Sequence, residues 1–203
     1  MNSKVTHINV GNLAENCWFL ANEDTKEAVV IDPGAEPDRI CAAAEKHGWK
    51  ITAILLTHGH IDHMGACESL RTELGVKVYA LTEEEDLLLD AKKNLSVFIE
   101  RKVVTFEPDE LLRDGQELTL AGMKIQVIHT PGHTPGGCSY YVAEAGCVFS
   151  GDTLFAESVG RSDFPGGSTS ALVRAVKEKL FLLPDDTLVC PGHGEETTIG
   201  HEK

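Results

Sequence analysis

The chain has 203 residues, of which 42% are hydrophobic and 25% charged, a composition that excludes an extended disordered chain and a low-complexity fibre. Its 18 basic residues against 32 acidic ones leave a formal net charge of −14. Because nucleic acids and anionic membranes attract basic surfaces, we expect neither as a partner.

The first part of the chain alternates short apolar stretches with turns, which predicts strands over residues 5–10, 16–21 and 28–31. An apolar stripe that begins at Ile40 then predicts a helix over residues 37–47, ended by Gly48. Residues 51–56 form a buried strand in this interpretation. The strand runs directly into a segment rich in histidine.

The second part of the chain returns to strands after a helical middle. Thr82 and Glu85 have the spacing of a capping box, which predicts a helix start there and partial helix as far as residue 101. Strands are predicted over residues 117–120, 124–129, 138–143, 147–150 and 187–190, and a helix over residues 168–181. We find no internal repeat and no linker, so we expect one domain over residues 1–203. Two strand-rich blocks with helices favour sheets packed together with helices outside.

The sequence also predicts a cytoplasmic protein. No apolar run approaches the ~20 residues of a membrane span, and the first residues contain no signal-peptide core. The six cysteines form no Cys-x-x-Cys pair and lie mostly in apolar segments, which is typical of a reducing compartment.

Seven side chains of the metal-ligand type lie in loops directly after predicted strands. They are His58, His60, Asp62, His63, His133, Asp152 and His193. Along an extended chain His58 and His60 point to the same side, whereas Asp62 and His63 fall at a predicted helix start and could serve a second ion. Imidazoles with a few carboxylates suit zinc, iron or manganese.

A structural explanation without metal is available for the isolated residues but not for the whole set. A lone histidine such as His133 is more often a hydrogen-bonded loop residue, and Asp152 could cap a turn. The segment His58 to His63, in contrast, places three imidazoles and a carboxylate within six residues. Without a cation these groups would repel one another or remain unsatisfied, so the sequence predicts a metal site.

These motifs resemble a known family. The run Thr57-His58-Gly59-His60-Ile61-Asp62-His63-Met64-Gly65, followed by His133, Asp152 and His193, is similar to the ligand set of the metallo-β-lactamase superfamily over about residues 5–199. The segments 131–136 and 160–164 resemble those of glyoxalase II-like thioester hydrolases of the short type, which lack the glutathione-binding C-terminal domain. The resemblance implies an α+β fold, namely an αββα four-layer sandwich with two mixed β-sheets flanked by helices.

The resemblance also implies roles for the seven residues. His58, His60 and His133 would hold one divalent ion. Asp62, His63 and His193 would hold a second, and Asp152 would bridge both. Zinc is the first choice of metal, with iron or manganese as alternatives. Asp62 and Asp152 would be the catalytic carboxylates, and a hydroxide between the ions would be the nucleophile. Asp32 matches the first, usually structural, aspartate of the superfamily and could orient a ligand histidine.

Charge and leaving-group chemistry favour an anionic thioester as the small-molecule substrate. Two divalent ions contribute +4, and Asp62, Asp152 and a hydroxide contribute −3, which leaves about +1 in the centre. A thiolate has a pKa near ~8.5 and departs with little protonation, so a thioester needs no dedicated general acid. The tyrosine that follows the last metal histidine in longer glyoxalase II proteins is missing from residues 194–197. S-lactoylglutathione is therefore a test substrate and not an expected natural one.

Other functions remain open at this point. Persulfide dioxygenases of the same superfamily share the motifs and use one iron, which the equivalents of His58, His133 and Asp152 would hold. A nuclease is disfavoured by the net charge, and a β-lactamase by the presence of Asp62 and His63 together with Asp152. A non-catalytic binding protein would need blocked metal positions. The segment 160–164 could line the substrate entrance or form an internal salt bridge.

Overall fold

Two six-stranded β-sheets, one from each half of the chain, form the centre of this computed structural model, which describes residues 2–203. The first sheet contains β1 (Ser3–Val10), β2 (Glu15–Asn22), β3 (Glu27–Ile31), β4 (Lys50–Leu55), β5 (Lys77–Leu81) and β6 (Glu110–Leu112), in that spatial order. The first three strands pair antiparallel and the last four pair parallel, so the sheet is mixed.

The second sheet is also mixed. Strands of the second half are β7 (Glu117–Leu120), β8 (Met123–His129), β9 (Cys138–Val142), β10 (Cys147–Gly151), the two-stranded hairpin β11 (Leu154–Phe155) and β12 (Ser158–Val159), β13 (Leu188–Pro191) and β14 (Thr197–Thr198). The spatial order in the sheet is β14-β13-β10-β9-β8-β7. β10 and β13 run parallel, and the other neighbours run antiparallel.

Short helices connect and cover the strands. They are α1 (Pro37–Lys46), α2 (Ile61–Met64), α3 (Cys67–Leu74), α4 (Glu85–Leu88), α5 (Ser96–Ile99), α6 (Thr169–Glu178) and α7 (Ile199–Glu202). Single 3₁₀ turns cover Thr82–Glu84, Ala143–Ala145 and Leu180–Leu182. Among residues 2–203 no helix has the length and hydropathy needed to cross a membrane.

The buried side chains of β2 show how the layers are stacked. Trp18 and Leu20 belong to the apolar cluster between the two sheets, whereas Cys17, Phe19 and Ala21 belong to the cluster that also contains residues of α1 and α3. Successive side chains of a strand point to opposite faces, and every residue of β2 is buried because both of its faces are covered.

The outer face of the second sheet is covered as well. Val148 of β10 and Val189 of β13 pack with Val176 of α6 and with Ile199 of α7. The layers therefore follow the order helix, sheet, sheet, helix. This arrangement confirms the expected α+β class and the αββα sandwich of two mixed sheets.

The helix start predicted at Thr82 is wrong. The Thr82 hydroxyl donates to the carbonyl of Leu112 at 2.8 Å, at the edge of the first sheet, and it does not cap a helix. A 3₁₀ turn begins there and α4 begins only at Glu85. The predicted helix over residues 168–181 is α6 followed by a 3₁₀ turn.

Candidate metal centre

The loops at one rim of the two sheets bring together all seven predicted ligand residues. Chain segments after four different strands provide them: His58, His60, Asp62 and His63 after β4, His133 after β8, Asp152 after β10, and His193 after β13. Asp62 and His63 lie in α2, as the sequence indicated.

Three histidines form the first group. One ring nitrogen from each of His58, His60 and His133 lies within 4.8 Å of the other two. His60 Nδ1 is 3.0 Å from His133 Nε2, and the two rings are perpendicular. All three side chains are buried, so the structure juxtaposes three imidazoles away from solvent. We call them cluster 1.

The second group combines imidazole and carboxylate. Asp62, His63 and His193 each place one nitrogen or oxygen within 4.8 Å of the others, and Asp62 Oδ2 is 3.3 Å from His193 Nε2. We call this group cluster 2. His63 is fully buried, whereas Asp62 and His193 are partly accessible, so cluster 2 is the side of the centre that solvent reaches.

Asp152 lies between the two clusters. Its Oδ1 is 3.4 Å from His63 Nε2 of cluster 2, and its Oδ2 is 3.5 Å from His133 Nε2 of cluster 1. The same Oδ2 is 3.9 Å from His193 Nε2. One carboxylate thus faces ligand atoms of both groups.

Asp32 and Thr57 determine which ring nitrogens carry protons in two of the histidines. Asp32 Oδ2 accepts a hydrogen bond from the Thr57 hydroxyl at 2.5 Å and lies 3.0 Å from His63 Nδ1. Since the Thr57 hydroxyl donates its one proton to Asp32, it can only accept from His58 Nδ1, 3.1 Å away. Both imidazoles therefore carry a proton at Nδ1 and present the Nε2 lone pair to the centre. The contact between Asp32 and His63 is the one that the sequence analysis expected of an aspartate that orients a histidine of the centre.

His133 is oriented by the segment 160–164. Its Nδ1 donates to the carbonyl of Arg161 at 2.7 Å, which leaves the Nε2 lone pair free for the centre. The Arg161 guanidinium pairs with both oxygens of Asp163 and lies 3.9 Å from the centre of the Phe164 ring, whose edge meets His60. The segment therefore contains the salt bridge and also borders cluster 1.

The unpaired polar atoms of the centre test whether a cation fits. His58 Nε2, His63 Nε2 and Asp152 Oδ1 are buried and have no hydrogen-bond partner among residues 2–203. Buried polar atoms are normally paired, so atoms left unpaired together need a common explanation. A divalent cation at each cluster would use these lone pairs, and five imidazoles with two carboxylates suit zinc, iron or manganese. The residues fit the metal ions that the sequence predicted.

The electrostatics of the centre agree with this fit. Burial, and then the neighbouring His133, lowers the pKa of His60 to about 3, and burial lowers the pKa of His58 as well. Cluster 1 therefore keeps neutral imidazoles, the form that binds a metal. Burial opposes charge on His63, but the carboxylates of Asp152 and the other aspartates outweigh it and raise the pKa of His63. Positive charge is therefore favoured at His63, where a metal ion at Nε2 would take the place of the second proton.

Glycines beside the ligands allow the loops to approach closely. A Cβ on Gly192 would lie 2.4 Å from Asp152 Oδ1 and 2.5 Å from His63 Cε1. A Cβ on Gly34 would lie 1.5 Å from the carbonyl oxygen of Asp62. Any other residue at these positions would displace a ligand.

Two buried glutamates beside the centre were missed by the sequence analysis. Glu15 is fully buried, its Oε1 lies 3.9 Å from His63 Nδ1, and burial raises its pKa. Glu84 is 1% exposed and accepts hydrogen bonds from the main chain of two ligand loops. His129, at the end of β8, has its Nε2 2.8 Å from the carbonyl oxygen of Pro135, in the loop that carries His133.

The Glu84 carboxylate predicts a pH dependence of stability for the metal-free protein. Burial raises its pKa from 4.5 to about 7, so between these values the folded chain retains a proton that the unfolded chain releases. The free energy of unfolding then falls as pH rises through this window, by about 3 kcal/mol in total. Burial raises the pKa values of the neighbouring Cys138 thiol and Tyr140 hydroxyl, and the Glu84 carboxylate adds to both shifts.

Denaturant unfolding of the metal-free wild type and of Glu84→Gln at about pH 5 and about pH 8 measures this effect, because the glutamine does not titrate. From the lower to the higher pH, we expect the unfolding free energy of the variant to rise by about 3 kcal/mol relative to that of the wild type. An equal difference at both would contradict the assignment.

The fold and the centre together define an αββα protein with a histidine–aspartate site that fits divalent metal. A family model described as the metallo-beta-lactamase superfamily matches residues 10–193, and the chain belongs to this superfamily. The resemblance found in the sequence is thereby confirmed, and membership implies a metal-dependent enzyme of the hydrolase type.

Curated relatives support the same class. "Probable metallo-hydrolase YqgX" of Bacillus subtilis (strain 168) is 39% identical over 191 residues, which cover 94% of this chain and 90% of the relative. "Hydroxyacylglutathione hydrolase GloC" of Haemophilus influenzae is 36% identical and covers 93% of this chain and 90% of its own.

Solved structures of similar proteins have the same fold. The structure of BLEG-1, described as a B3 metallo-beta-lactamase, has a TM-score of 0.93 at 38% identity and covers 98% of this chain and 96% of its own. The structure of TTHA1623, described as a di-iron-bound form, has a TM-score of 0.86 at 38% identity; the match covers 97% of this chain and 96% of TTHA1623. The likeness therefore spans nearly the whole of both chains.

Proposed function

We propose that this protein is a thioester hydrolase of the glyoxalase II type that works with two divalent metal ions. The observation that carries the proposal is the position of Asp152, whose carboxylate lies within 3.5 Å of a ring nitrogen of cluster 1 and within 3.4 Å of one of cluster 2. A single-ion centre would leave one of these two groups of ligands without a cation.

The metal ions would be held by the residues that the sequence predicted. Cluster 1 would bind one ion, cluster 2 the other, and Asp152 would contribute to both. When bound, the two ions lower the pKa of water to roughly 7 and polarise the substrate carbonyl. Zinc is our first choice of metal; the di-iron form of TTHA1623 makes iron the main alternative.

The two carboxylates of the centre orient the attacking water in this proposal. Burial alone would raise the pKa of Asp62, but the neighbouring His63 and His193 lower it, so Asp62 is ionised at neutral pH. An ionised carboxylate accepts a hydrogen bond from water and aligns it for attack on the acyl carbon. Asp152 faces the same space from the other side, and we therefore assign Asp62 and Asp152 the catalytic roles.

A thioester is the substrate class that demands least of the remaining residues. The bond that breaks joins the acyl carbon to sulfur, and a thiolate with a pKa near ~8.5 leaves with little help from an acid. The relative described as hydroxyacylglutathione hydrolase supports this class. Glu195 and Glu196, which follow His193 after Gly194, are exposed, and they offer no positive charge to a glutathione carboxylate.

Metal analysis combined with a substrate panel tests the proposal. Protein purified without added metal, and protein loaded anaerobically with zinc or iron, would be analysed for metal per chain. Each form would then be assayed for thiol release from S-lactoylglutathione, from an acyl-coenzyme A and from a thioester of a small uncharged thiol. We expect close to two ions per chain and thiol release that depends on metal.

Two further assays distinguish the alternatives. If a form with one iron per chain consumes oxygen in the presence of a thiol persulfide, the protein is a persulfide dioxygenase and the thioesterase proposal is wrong. Turnover of a β-lactam without thioester hydrolysis would favour the activity named for BLEG-1. Protein that binds no metal after loading would contradict the centre itself.

A further inference from the structure

A carboxylate from outside the centre connects the two loops that carry cluster 1. Glu84 lies in the 3₁₀ turn that follows β5. Its Oε1 accepts the main-chain N–H of Gly59, which stands between His58 and His60, at 2.8 Å. Its Oε2 accepts the main-chain N–H of Gly136, three residues after His133, also at 2.8 Å.

We propose that Glu84 is a positioning residue that holds these two loops at the separation required for cluster 1 to bind its metal ion. The inference rests on the proposed function, because it assigns Glu84 a role in building that metal site. It does not make Glu84 a ligand or a catalytic residue.

Close packing around the carboxylate supports this role. A Cβ on Gly59 would lie 2.7 Å from Leu88 Cδ2 and 2.9 Å from Leu87 Cδ2, and a Cβ on Gly136 would lie 2.1 Å from the main-chain nitrogen of Glu84. Both loops therefore rest directly on residues 84–88, with glycine at each contact point. The distance between the loops is set where Glu84 binds them.

The chemistry of the side chain also points to a connecting role. Among residues 2–203, Glu84 forms no ion pair; it accepts from two main-chain N–H groups, and the nearby Thr134 hydroxyl also favours its charged form. A carboxylate buried without a cation is costly, and burial accordingly raises its pKa. A glutamine would have one oxygen acceptor and one donor, so it could accept from only one of the two loops. Only the carboxylate serves both.

Cluster 2 has supports of its own, although Asp62 and His63 follow Gly59 on the same segment. His63 is oriented by Asp32, and His193 lies in a loop to which Glu84 makes no hydrogen bond. Loss of the Glu84 carboxylate should therefore weaken cluster 1 selectively, which a general loss of stability would not do.

The test compares Glu84→Gln with the wild type in zinc binding and in the metal-free state. After dialysis against buffered free zinc, we expect two ions per chain in the wild type and close to one in the variant, since removal of a group that orients metal ligands costs roughly 10- to 100-fold in affinity. In the metal-free proteins, ¹H–¹⁵N spectra should show the amide of Gly59 or of Gly136 shifted and exchanging faster in the variant.

Matched controls separate position from charge and from hydrogen bonding. Glu83→Gln removes a neighbouring exposed charge. Asp90→Asn changes a carboxylate that accepts two main-chain N–H groups, those of Lys92 and Lys93, in an exposed turn. Both controls should retain two ions. If Glu84→Gln does not fold, Glu84→Asp keeps the charge on a side chain too short to reach both loops, and it should also lose one ion.

The outcomes distinguish this proposal from the proposed function. Glu84→Gln or Glu84→Asp with two ions and unchanged Gly59 and Gly136 amides would overturn the role of Glu84. Wild-type protein that binds fewer than two ions would contradict the proposed function instead, while unchanged amides in the metal-free variant would still overturn the connection between the loops.

Discussion

Replacement of Asp152 by alanine is expected to lower kcat/KM for thioester hydrolysis by at least about 10³-fold. The reason is geometric. The Asp152 carboxylate lies close to both clusters, with Oδ1 3.4 Å from His63 Nε2 and Oδ2 3.5 Å from His133 Nε2. In the proposed two-ion centre, its removal would take a ligand from both ions and leave the two groups of imidazoles with less negative charge between them.

Activity and metal content must be measured on the same samples. We expect Asp152→Ala to retain fewer ions than the wild type and to remain inactive even when loaded with excess zinc. Asp186→Ala, which removes an exposed aspartate in the turn before β13, is the matched control and should behave like the wild type. Full turnover and full metal content in Asp152→Ala would exclude the bridging role.

The sequence predicted most of the centre because the chemistry of its main motif is concentrated. Three imidazoles and a carboxylate between His58 and His63 are difficult to explain without a cation, whatever the fold. His133, Asp152 and His193 are single residues in separate loops, and their sequence spacing contains no information about distance. Only the resemblance to a family connected them, and the structure then placed their ligand atoms within a few ångströms of the motif.

Glu84 and the short strands could not be predicted for a related reason. Glu84 is the middle residue of three consecutive glutamates, which in sequence resembles an exposed helix start. Its role exists only after folding brings Gly59 and Gly136 to it, 25 and 52 positions away. β5 and β6 have five and three residues, too few for a reliable period, and their pairing with the first sheet defines them.

Asp32, like Glu84, acts through tertiary contacts, and its replacement is the second change for which we expect a large effect. Asp32→Asn is expected to lower zinc affinity by roughly 10- to 100-fold. Three donors converge on this carboxylate: the Thr57 N–H at Oδ1, and the Thr57 hydroxyl and His63 Nδ1–H at Oδ2. In asparagine one of the two oxygens becomes an NH₂ group, which must face either the Thr57 N–H or the pair formed by the Thr57 hydroxyl and His63 Nδ1–H. If it faces His63, that ring shifts its proton to Nε2 and loses the lone pair that cluster 2 needs.

If the NH₂ group faces the Thr57 N–H instead, a buried donor is left unpaired, at a cost of about 1–3 kcal/mol in unfolding free energy. Asparagine is the appropriate replacement because Asp32 has a φ of 53°, a left-handed conformation that asparagine adopts readily and alanine does not. Zinc titration, denaturant unfolding and ¹⁵N spectra of the histidine rings in the metal-free protein measure the three effects. Through the Thr57 hydroxyl, Asp32 also determines the tautomer of His58 in cluster 1. A variant with normal tautomers and normal zinc affinity would therefore show that neither cluster depends on Asp32.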